Sequence, residues 1–194
     1  MNLLLIDLET TGLDAETNGI LSICAKLYSG DRKVITSYYA ECTSEDSKVD
    51  LAALKVNRYS ISKLQSFKNE KETMFNFCDW LISLPTNGEI VLCGHNVHFD
   101  IGFIKSKLRK YNISGFDQAV SHRVIDTASI GRFLTLTGHL QSKVTLKDLA
   151  TSLEVQYDPV KHHNAEYDVD LTASVLFKMI DTLKGIPNGE NKQG

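Results

Sequence analysis

The 194-residue sequence predicts an α/β fold in which a mixed β-sheet is flanked by α-helices. Three observations support this prediction: an apolar run near the start, two further strand-like segments joined by a turn, and helical periodicity interleaved with short strands afterwards. Apolar residues make up 42% of the chain and charged residues 23%, which is ordinary for a domain with a real core. We expect a single domain over 1–184 and a flexible tail at 185–194, where polar residues and glycine replace apolar ones.

The first elements are strands. The aliphatic run at 3–6 predicts a strand covered on both faces in the middle of a sheet. Segments 20–28 and 33–40 are two further predicted strands, and Ser29-Gly30-Asp31 between them has the composition of a hairpin turn. The chain therefore opens with a meander.

Helices dominate the rest of the chain. A helix is predicted over 71–84, and it ends at Pro85. Its apolar residues recur at the spacing of one helix face: Met74, Phe75, Cys78, Leu81 and Ile82. A short strand is predicted over 89–93, and helical spacing returns over 101–111 and 169–183.

Charge and cysteine content exclude several classes of protein. The formal net charge of −3 argues against binding of nucleic acid by a broad basic surface. The four cysteines are scattered without a C-x-x-C pair, so a zinc cage and a redox motif are not expected, and the cysteines fit a reduced core. No apolar run is long enough for a signal sequence or a membrane span. We therefore expect a cytoplasmic protein without membrane contact, and the oligomeric state stays open.

Acidic residues at the edges of apolar elements are the most informative pattern. Asp7 and Glu9 leave one face of the first strand with Cα atoms roughly 6 to 7 Å apart, where their repulsion favours a hard divalent cation between them. Asp100 stands where a strand end meets a helix start, and Asp168 lies early in the last helix. His163 can approach Asp168 only if it lies in the loop before that helix. Two metal ions about 3.5 to 4 Å apart could then promote phosphoryl displacement. The alternative is that these are solvated acids at strand and helix ends.

Five segments, in order, resemble the DnaQ-like exonucleases of the DEDD type that carry a motif histidine (DEDDh). The first is Asp7-Leu8-Glu9-Thr10-Thr11-Gly12-Leu13, and the second runs from Gly94 to Asp100. The Asp126-Thr127 pair and the helix at 145–150 resemble intermediate elements of the family. The third motif runs from His163 to Asp168 with the H-x4-D spacing.

The resemblance implies a ribonuclease-H-like fold and a catalytic site. It implies that two Mg²⁺ or Mn²⁺ ions are held by four carboxylates, and that His163 takes a proton from the attacking water. The adjacent His162 is off register for the motif spacing. An imidazole suits this task because its unperturbed pKa, about 6.5, allows a neutral base near pH 7. The four expected metal ligands, which are also catalytic candidates, are Asp7, Glu9, Asp100 and Asp168.

The resemblance also implies contacts with substrate. The turn from Thr10 through Thr11 and Gly12 to Leu13 is expected to meet the terminal nucleotide, with Leu13 against the last base and Gly12 leaving room for close approach. Core packing is the alternative for Leu13. Asn96 and Phe99 of the second motif are further candidates, but a phenylalanine at such a position more often packs under the sheet, so Phe99 ranks below Leu13. The helix after Asp100 carries a basic cluster, which consists of Lys105, Lys107, Arg109 and Lys110. This cluster either steers the phosphate backbone of the substrate into the site or is a solvated helix face.

The predicted function is hydrolysis from a free 3′-hydroxyl of single-stranded or frayed nucleic acid, with release of nucleoside 5′-monophosphates. The motifs are closer to the proofreading branch of the family, so DNA is favoured over RNA as the substrate. A polymerase or a repair protein is the candidate partner. Two alternatives stay open: an exoribonuclease acting on short RNA or RNA 3′ ends, and a non-catalytic or accessory module of a polymerase or repair assembly.

Overall fold

The computed structural model describes residues 2–85 and 88–185. Six strands form one mixed sheet: β1 (Asn2–Thr10), β2 (Ile20–Tyr28), β3 (Val34–Thr43), β4 (Lys68–Asn69), β5 (Ile90–Gly94) and β6 (Val124–Asp126). Their order across the sheet is β4-β3-β2-β1-β5-β6. β1 pairs antiparallel with β2 and parallel with β5. The predicted meander and the central position of the first strand are both confirmed.

Eight helices are described: α1 (Leu51–Asn57), α2 (Ile61–Leu64), α3 (Glu70–Ile82), α4 (His98–Tyr111), α5 (Phe116–Ala119), α6 (Thr127–Leu136), α7 (Leu146–Ser152) and α8 (Ala165–Lys184). One face of the sheet packs against α3 and α4, and the other packs against α8. A further apolar cluster joins α6 and α7 to α8. The mixed sheet between helices confirms the predicted fold class, including its likeness to ribonuclease H.

The side chains of β1 alternate between the two faces of the sheet, and this alternation decides on which face Asp7 and Glu9 lie. Leu4, Ile6 and Leu8 belong to the cluster under α3 and α4, whereas Leu5 packs in the cluster with α8. Asp7 continues the odd-numbered side, because successive side chains of a strand point to opposite faces. The acids of β1 therefore lie on the same side of the sheet as α8.

The predicted buried face of α3 is partly wrong. Phe75 and Ile82 are 60% and 58% exposed, whereas Phe77 is fully buried. The buried stripe runs through Met74, Phe77, Cys78 and Leu81. Both stripes have helical spacing, and the position of the sheet selects between them.

Other expectations have simpler outcomes. All four cysteines are free and buried, as predicted for core residues. No helix within 2–85 and 88–185 is long and apolar enough to cross a membrane. Of the predicted tail, only Gly185 is described, at the end of α8, and 186–194 lie outside the described residues.

Candidate active site

Three of the four predicted carboxylates meet at one point. Asp7 and Glu9 come from the end of β1, and Asp168 comes from the first turns of α8. One carboxylate oxygen from each of these residues lies within 4.8 Å of the others. Asn164 caps α8, since its Oδ1 accepts a hydrogen bond from the Tyr167 amide at 3.1 Å. The cap fixes where the helix begins and hence where Asp168 projects.

Asp100 completes the acid cluster from the opposite layer. It lies in the first turn of α4, is 4% exposed, and its Oδ1 accepts a hydrogen bond from the Leu8 amide at 3.0 Å. This bond ties α4 to the strand segment between Asp7 and Glu9. Gly94 permits the close approach of the β5–α4 connection, because a Cβ there would lie 3.2 Å from the Ile6 carbonyl oxygen.

The four acids repel one another in a buried setting. Burial, followed by the negative charges of Asp100, Glu9 and Asp168, holds the pKa of Asp7 well above its usual range. Burial and the charge of Asp168 raise the pKa of Glu9 to about 8. Burial also raises the pKa of Asp100 to about 8.

This donor set fits divalent cations. Carboxylate oxygens are the ligands that Mg²⁺ and Mn²⁺ prefer, and a cation removes the repulsion that burial intensifies. The arrangement of Asp7, Glu9, Asp100 and Asp168 therefore agrees with the metal site that the sequence predicts.

Both histidines of the third motif reach Asp168. His163 lies in the loop before α8, as its predicted convergence with Asp168 required, and its amide donates to Asp168 Oδ2 at 2.9 Å. His162 Nδ1 lies 2.9 Å from Asp168 Oδ1. Burial and the charge of His162 lower the pKa of His163, which keeps its imidazole neutral. The motif spacing had set His162 aside, but the structure places both rings at the site, with centroids 4.0 Å apart.

The turn after β1 is held by its own polar side chains. Thr10 Oγ1 donates to the Gly12 carbonyl at 2.7 Å, and Thr11 Oγ1 donates to the Lys48 carbonyl at 2.6 Å. A Cβ at Gly12 would lie 2.4 Å from atoms of both Asn18 and Asp50. Packing against these two side chains is thus a reason for glycine at this position, and the expected close approach of a nucleotide to Gly12 stays a prediction.

An apolar groove opens beside Glu9. Leu13 is 85% exposed at its rim, so the core-packing alternative for this residue is wrong. The groove has a volume of about 770 Å³, and Phe99 lines it as well as packing against Phe103 with ring centroids 4.9 Å apart. Exposed apolar side chains near α1 continue the lining: Val49, Leu51 and Val56.

Asn96 is exposed at the turn between β5 and α4, with a φ of 60°. Its amide donates to Asp126 Oδ1 at 2.6 Å. Thr127, which follows Asp126, donates from its hydroxyl to the Gly94 carbonyl and contacts His95 Nδ1. The Asp126-Thr127 pair therefore supports the second motif from the neighbouring strand end.

The predicted basic cluster on α4 is not a free cationic surface. Lys107 is 1% exposed, and its ammonium group donates to the carbonyls of Ala15 and Asn18. The other three members form ion pairs with exposed acids: Lys105 with Asp117, Arg109 with Glu16, and Lys110 with Asp46.

Three supporting residues were missed by sequence reasoning. Asn57 Nδ2 donates to the Thr10 carbonyl at 2.9 Å, and Arg58 donates to carbonyls of the histidine loop. Asn18 Nδ2 donates to the Thr11 and Lys48 carbonyls. Apart from the Asn18–Thr11 contact, which spans seven residues, these hydrogen bonds join groups 30 or more residues apart, so no local sequence pattern predicts them.

Comparisons with known proteins agree with this geometry. A family model described as Exonuclease (RNase_T) matches residues 4–176. The chain is 26% identical over 179 residues to the PolC-type DNA polymerase III of Staphylococcus aureus strain RF122, covering 92% of the chain and 11% of that protein. It is 27% identical over 177 residues to the PolC-type enzyme of Halalkalibacterium halodurans, covering 90% and 11%. The chain thus spans about a tenth of the length of these relatives.

Solved structures share the fold. The complex of E. coli exonuclease I with a dT13 oligonucleotide superposes with a TM-score of 0.78 at 16% identity, covering 93% of this chain and 41% of the other. The zinc-bound form of the E. coli exonuclease I complex with single-stranded DNA superposes with a TM-score of 0.80 at 16% identity, covering 94% and 41%. This chain therefore corresponds to about two fifths of those proteins.

Proposed function

The chain belongs to the RNase_T exonuclease family, within the DnaQ-like DEDDh superfamily, and from this premise we propose that it is a metal-dependent hydrolase that removes nucleotides from the 3′ end of DNA. The observation that carries the proposal is the convergence of Asp7, Glu9 and Asp168, with carboxylate oxygens within 4.8 Å of one another. Asp100, which is itself buried, adds a fourth acid to the same cluster.

Asp7, Glu9, Asp100 and Asp168 are the residues that would hold two divalent cations. Bound Mg²⁺ or Mn²⁺ would neutralise charge on the scissile phosphate and lower the pKa of a water molecule. Because the site is built from four acids, substrate affinity should depend on the presence of the metal.

His163 is the proposed general base. Its lowered pKa keeps the imidazole neutral, so that it can accept a proton from the attacking water near pH 7. One ring nitrogen of His162 is already engaged with Asp168, which supports the assignment of the base to His163. The proton would then leave through solvent, because His163 is exposed.

The apolar groove beside Glu9 is the proposed site for the terminal nucleotide. The Leu13 and Phe99 side chains there offer apolar surface on which a base can stack without regard to its identity. Thr10 and Gly12 line this groove, and Thr11 lies between them in the turn. These three residues and the exposed Asn96 are proposed to bind the terminal nucleotide. A free 3′-hydroxyl end would enter this groove, and nucleoside 5′-monophosphate would be released.

The choice of DNA rests on the relatives. The exonuclease I structures contain DNA, and the PolC-type relatives are DNA polymerases. Removal of nucleotides from a frayed primer end, in association with a polymerase, would make this chain a proofreading enzyme.

Labelled oligonucleotides test the proposal. A 5′-labelled single strand incubated with Mg²⁺ or Mn²⁺ should give a ladder that shortens from the 3′ end, and EDTA should abolish it. A 3′-phosphate should block digestion, and a circular single strand should persist. Cleavage of the circle, or equal digestion of the 3′-blocked strand, would contradict the proposal, and faster digestion of matched RNA would assign the substrate to RNA.

A further inference from the structure

The loop that carries the two histidines has no regular secondary structure. It connects α7 to α8 and includes residues 157–164. Within it, the Asp158 amide donates to the Tyr167 hydroxyl at 2.6 Å, and the Val160 amide donates to Asp158 Oδ1 at 2.9 Å. The Lys161 amide also donates to the Asp158 carbonyl at 3.1 Å. Side-chain contacts supplement this single turn, since no backbone ladder of a sheet or helix holds the loop.

The backbone at His163 is in the left-handed region, with a φ of 64°. Residues other than glycine rarely adopt this conformation, and it persists only when surrounding contacts hold it. The His163 amide is held by Asp168 at the C-terminal side of the loop. On the N-terminal side, a contact from another part of the fold is needed.

Arg58, at the end of α1, supplies that contact. Its Nη1 donates to the Val160 carbonyl, and its Nη2 donates to the Pro159 carbonyl at 3.1 Å. The planar guanidinium group can bridge two neighbouring carbonyls because its N–H donors have a fixed fork geometry. A charged donor also forms stronger hydrogen bonds than a neutral one.

The preceding residue contacts the other half of the site. Asn57 Nδ2 donates to the Thr10 carbonyl at 2.9 Å, at the end of the strand that carries Asp7 and Glu9. Two adjacent residues at the C-terminus of α1 therefore connect the acid-bearing strand to the histidine loop. This connection fixes the distance between the two segments.

We propose that Arg58 is a positioning residue that holds the histidine loop and thereby sets His163 at the correct place relative to the carboxylates. The inference rests on the proposed function, because it assigns His163 the role of base. Arg58 acts through the Pro159 and Val160 carbonyls. Arg58 also lines a polar cavity of about 430 Å³ beside His163. The competing role is therefore that Arg58 contacts a substrate phosphate in this cavity.

Steady-state kinetics on Arg58→Ala separate these two roles. Removal of the bridge should lower kcat by about 10- to 100-fold, because a small displacement of a catalytic group is costly. KM should change by less than about twofold, because positioning of the base does not alter substrate binding. Arg58→Lys keeps the charge but loses the fork, so it should recover only part of kcat. Lys55→Ala, which removes an exposed charge from the same helix, is the matched control and should match the wild type.

A double-mutant cycle gives the sharpest test. If Arg58 acts only through His163, Arg58→Ala should cause no further loss of rate in a His163→Ala background. Added guanidinium ion should partly restore kcat of Arg58→Ala and leave His163→Ala unchanged. An unchanged kcat in Arg58→Ala, or an equal loss in both backgrounds, would overturn the proposal. A raised KM with weaker dependence on salt would assign Arg58 to a phosphate contact instead.

Hydrogen exchange tests the contact without reference to activity. Amides of 157–164 should exchange faster in Arg58→Ala than in the wild type or in Lys55→Ala, while amides of α8 should be unchanged. Unaltered exchange in the loop would show that Arg58 does not hold it. If the wild-type protein were inactive on every oligonucleotide, the proposed function would fail, and the exchange result would then decide alone whether Arg58 holds the loop.

Discussion

Removal of one negative charge from the acid cluster, by Asp7→Asn, is expected to stabilise the metal-free protein and to abolish hydrolysis. The carboxylate oxygens of Asp7, Glu9 and Asp168 lie within 4.8 Å of one another. Two unit charges about 5 Å apart repel by about 3 kcal/mol at an effective dielectric constant of about 20. Asparagine keeps the size of the side chain but removes this repulsion.

The stabilisation by Asp7→Asn is smaller than this repulsion, because protons bound to the acid cluster already neutralise part of its charge. We expect a net increase in the free energy of unfolding of about 1 to 3 kcal/mol at pH 8. In a chain of this length, such an increase corresponds to a rise in Tm of roughly 3 to 10 °C. Differential scanning calorimetry in EDTA measures it, and the control is Asp79→Asn, which removes an exposed acid from α3.

The pH dependence of this gain has a definite sign. Burial raises the pKa of Glu9 and of Asp100 to about 8, and raises that of Asp7. The folded protein therefore binds more protons than the unfolded chain between about pH 4 and pH 8, and its stability falls as the pH rises through that window. The gain from Asp7→Asn should therefore be larger at pH 8 than at pH 5. A lower Tm for Asp7→Asn at pH 8, or an equal gain at pH 5, would refute this reasoning.

Three further predictions concern metal, base and substrate. The rise in Tm produced by Mn²⁺ should grow from pH 5 to pH 8, because the ion must displace protons from Glu9 and Asp100; a rise that shrinks with pH in calorimetric scans would contradict this. His163→Ala should lower turnover by about 10²- to 10⁴-fold and leave the affinity for Mn²⁺, measured by calorimetry, unchanged. A larger loss of turnover in His162→Ala would assign the role of base to His162. Leu13→Ala should raise KM for a single strand several-fold without changing Tm, because Leu13 is 85% exposed; Leu136→Ala, at 80% exposure on α6, is its control, and equal KM values in the two variants would refute the contact.

The sequence predicts the centre of this fold well. Continuous apolar runs define β1 and β5, and the alternation of Asp7 and Glu9 with Leu8 places both acids on one face. These features are local, so they can be recognised in a single chain. The meeting of Asp7, Glu9 and Asp168 is the structural consequence of that alternation together with the start of α8.

The differences arise where distant parts of the chain decide the outcome. Helical spacing could not decide between two stripes of α3, so Phe75 was expected inside and is exposed. Lys107 was expected in a basic surface cluster, yet two carbonyls of a remote turn satisfy its buried ammonium group. Arg58 was not singled out, because its partners lie about a hundred residues away. Such contacts leave no periodicity or motif in the sequence.

Anomalous diffraction from crystals grown with Mn²⁺ and a deoxynucleoside 5′-monophosphate tests the central claim most directly. The account predicts two manganese peaks about 3.5 to 4 Å apart, bound by Asp7, Glu9, Asp100 and Asp168, with the base of the nucleotide against Leu13. Manganese bound elsewhere, with these four carboxylates free of metal while the nucleotide occupies the groove, would contradict it.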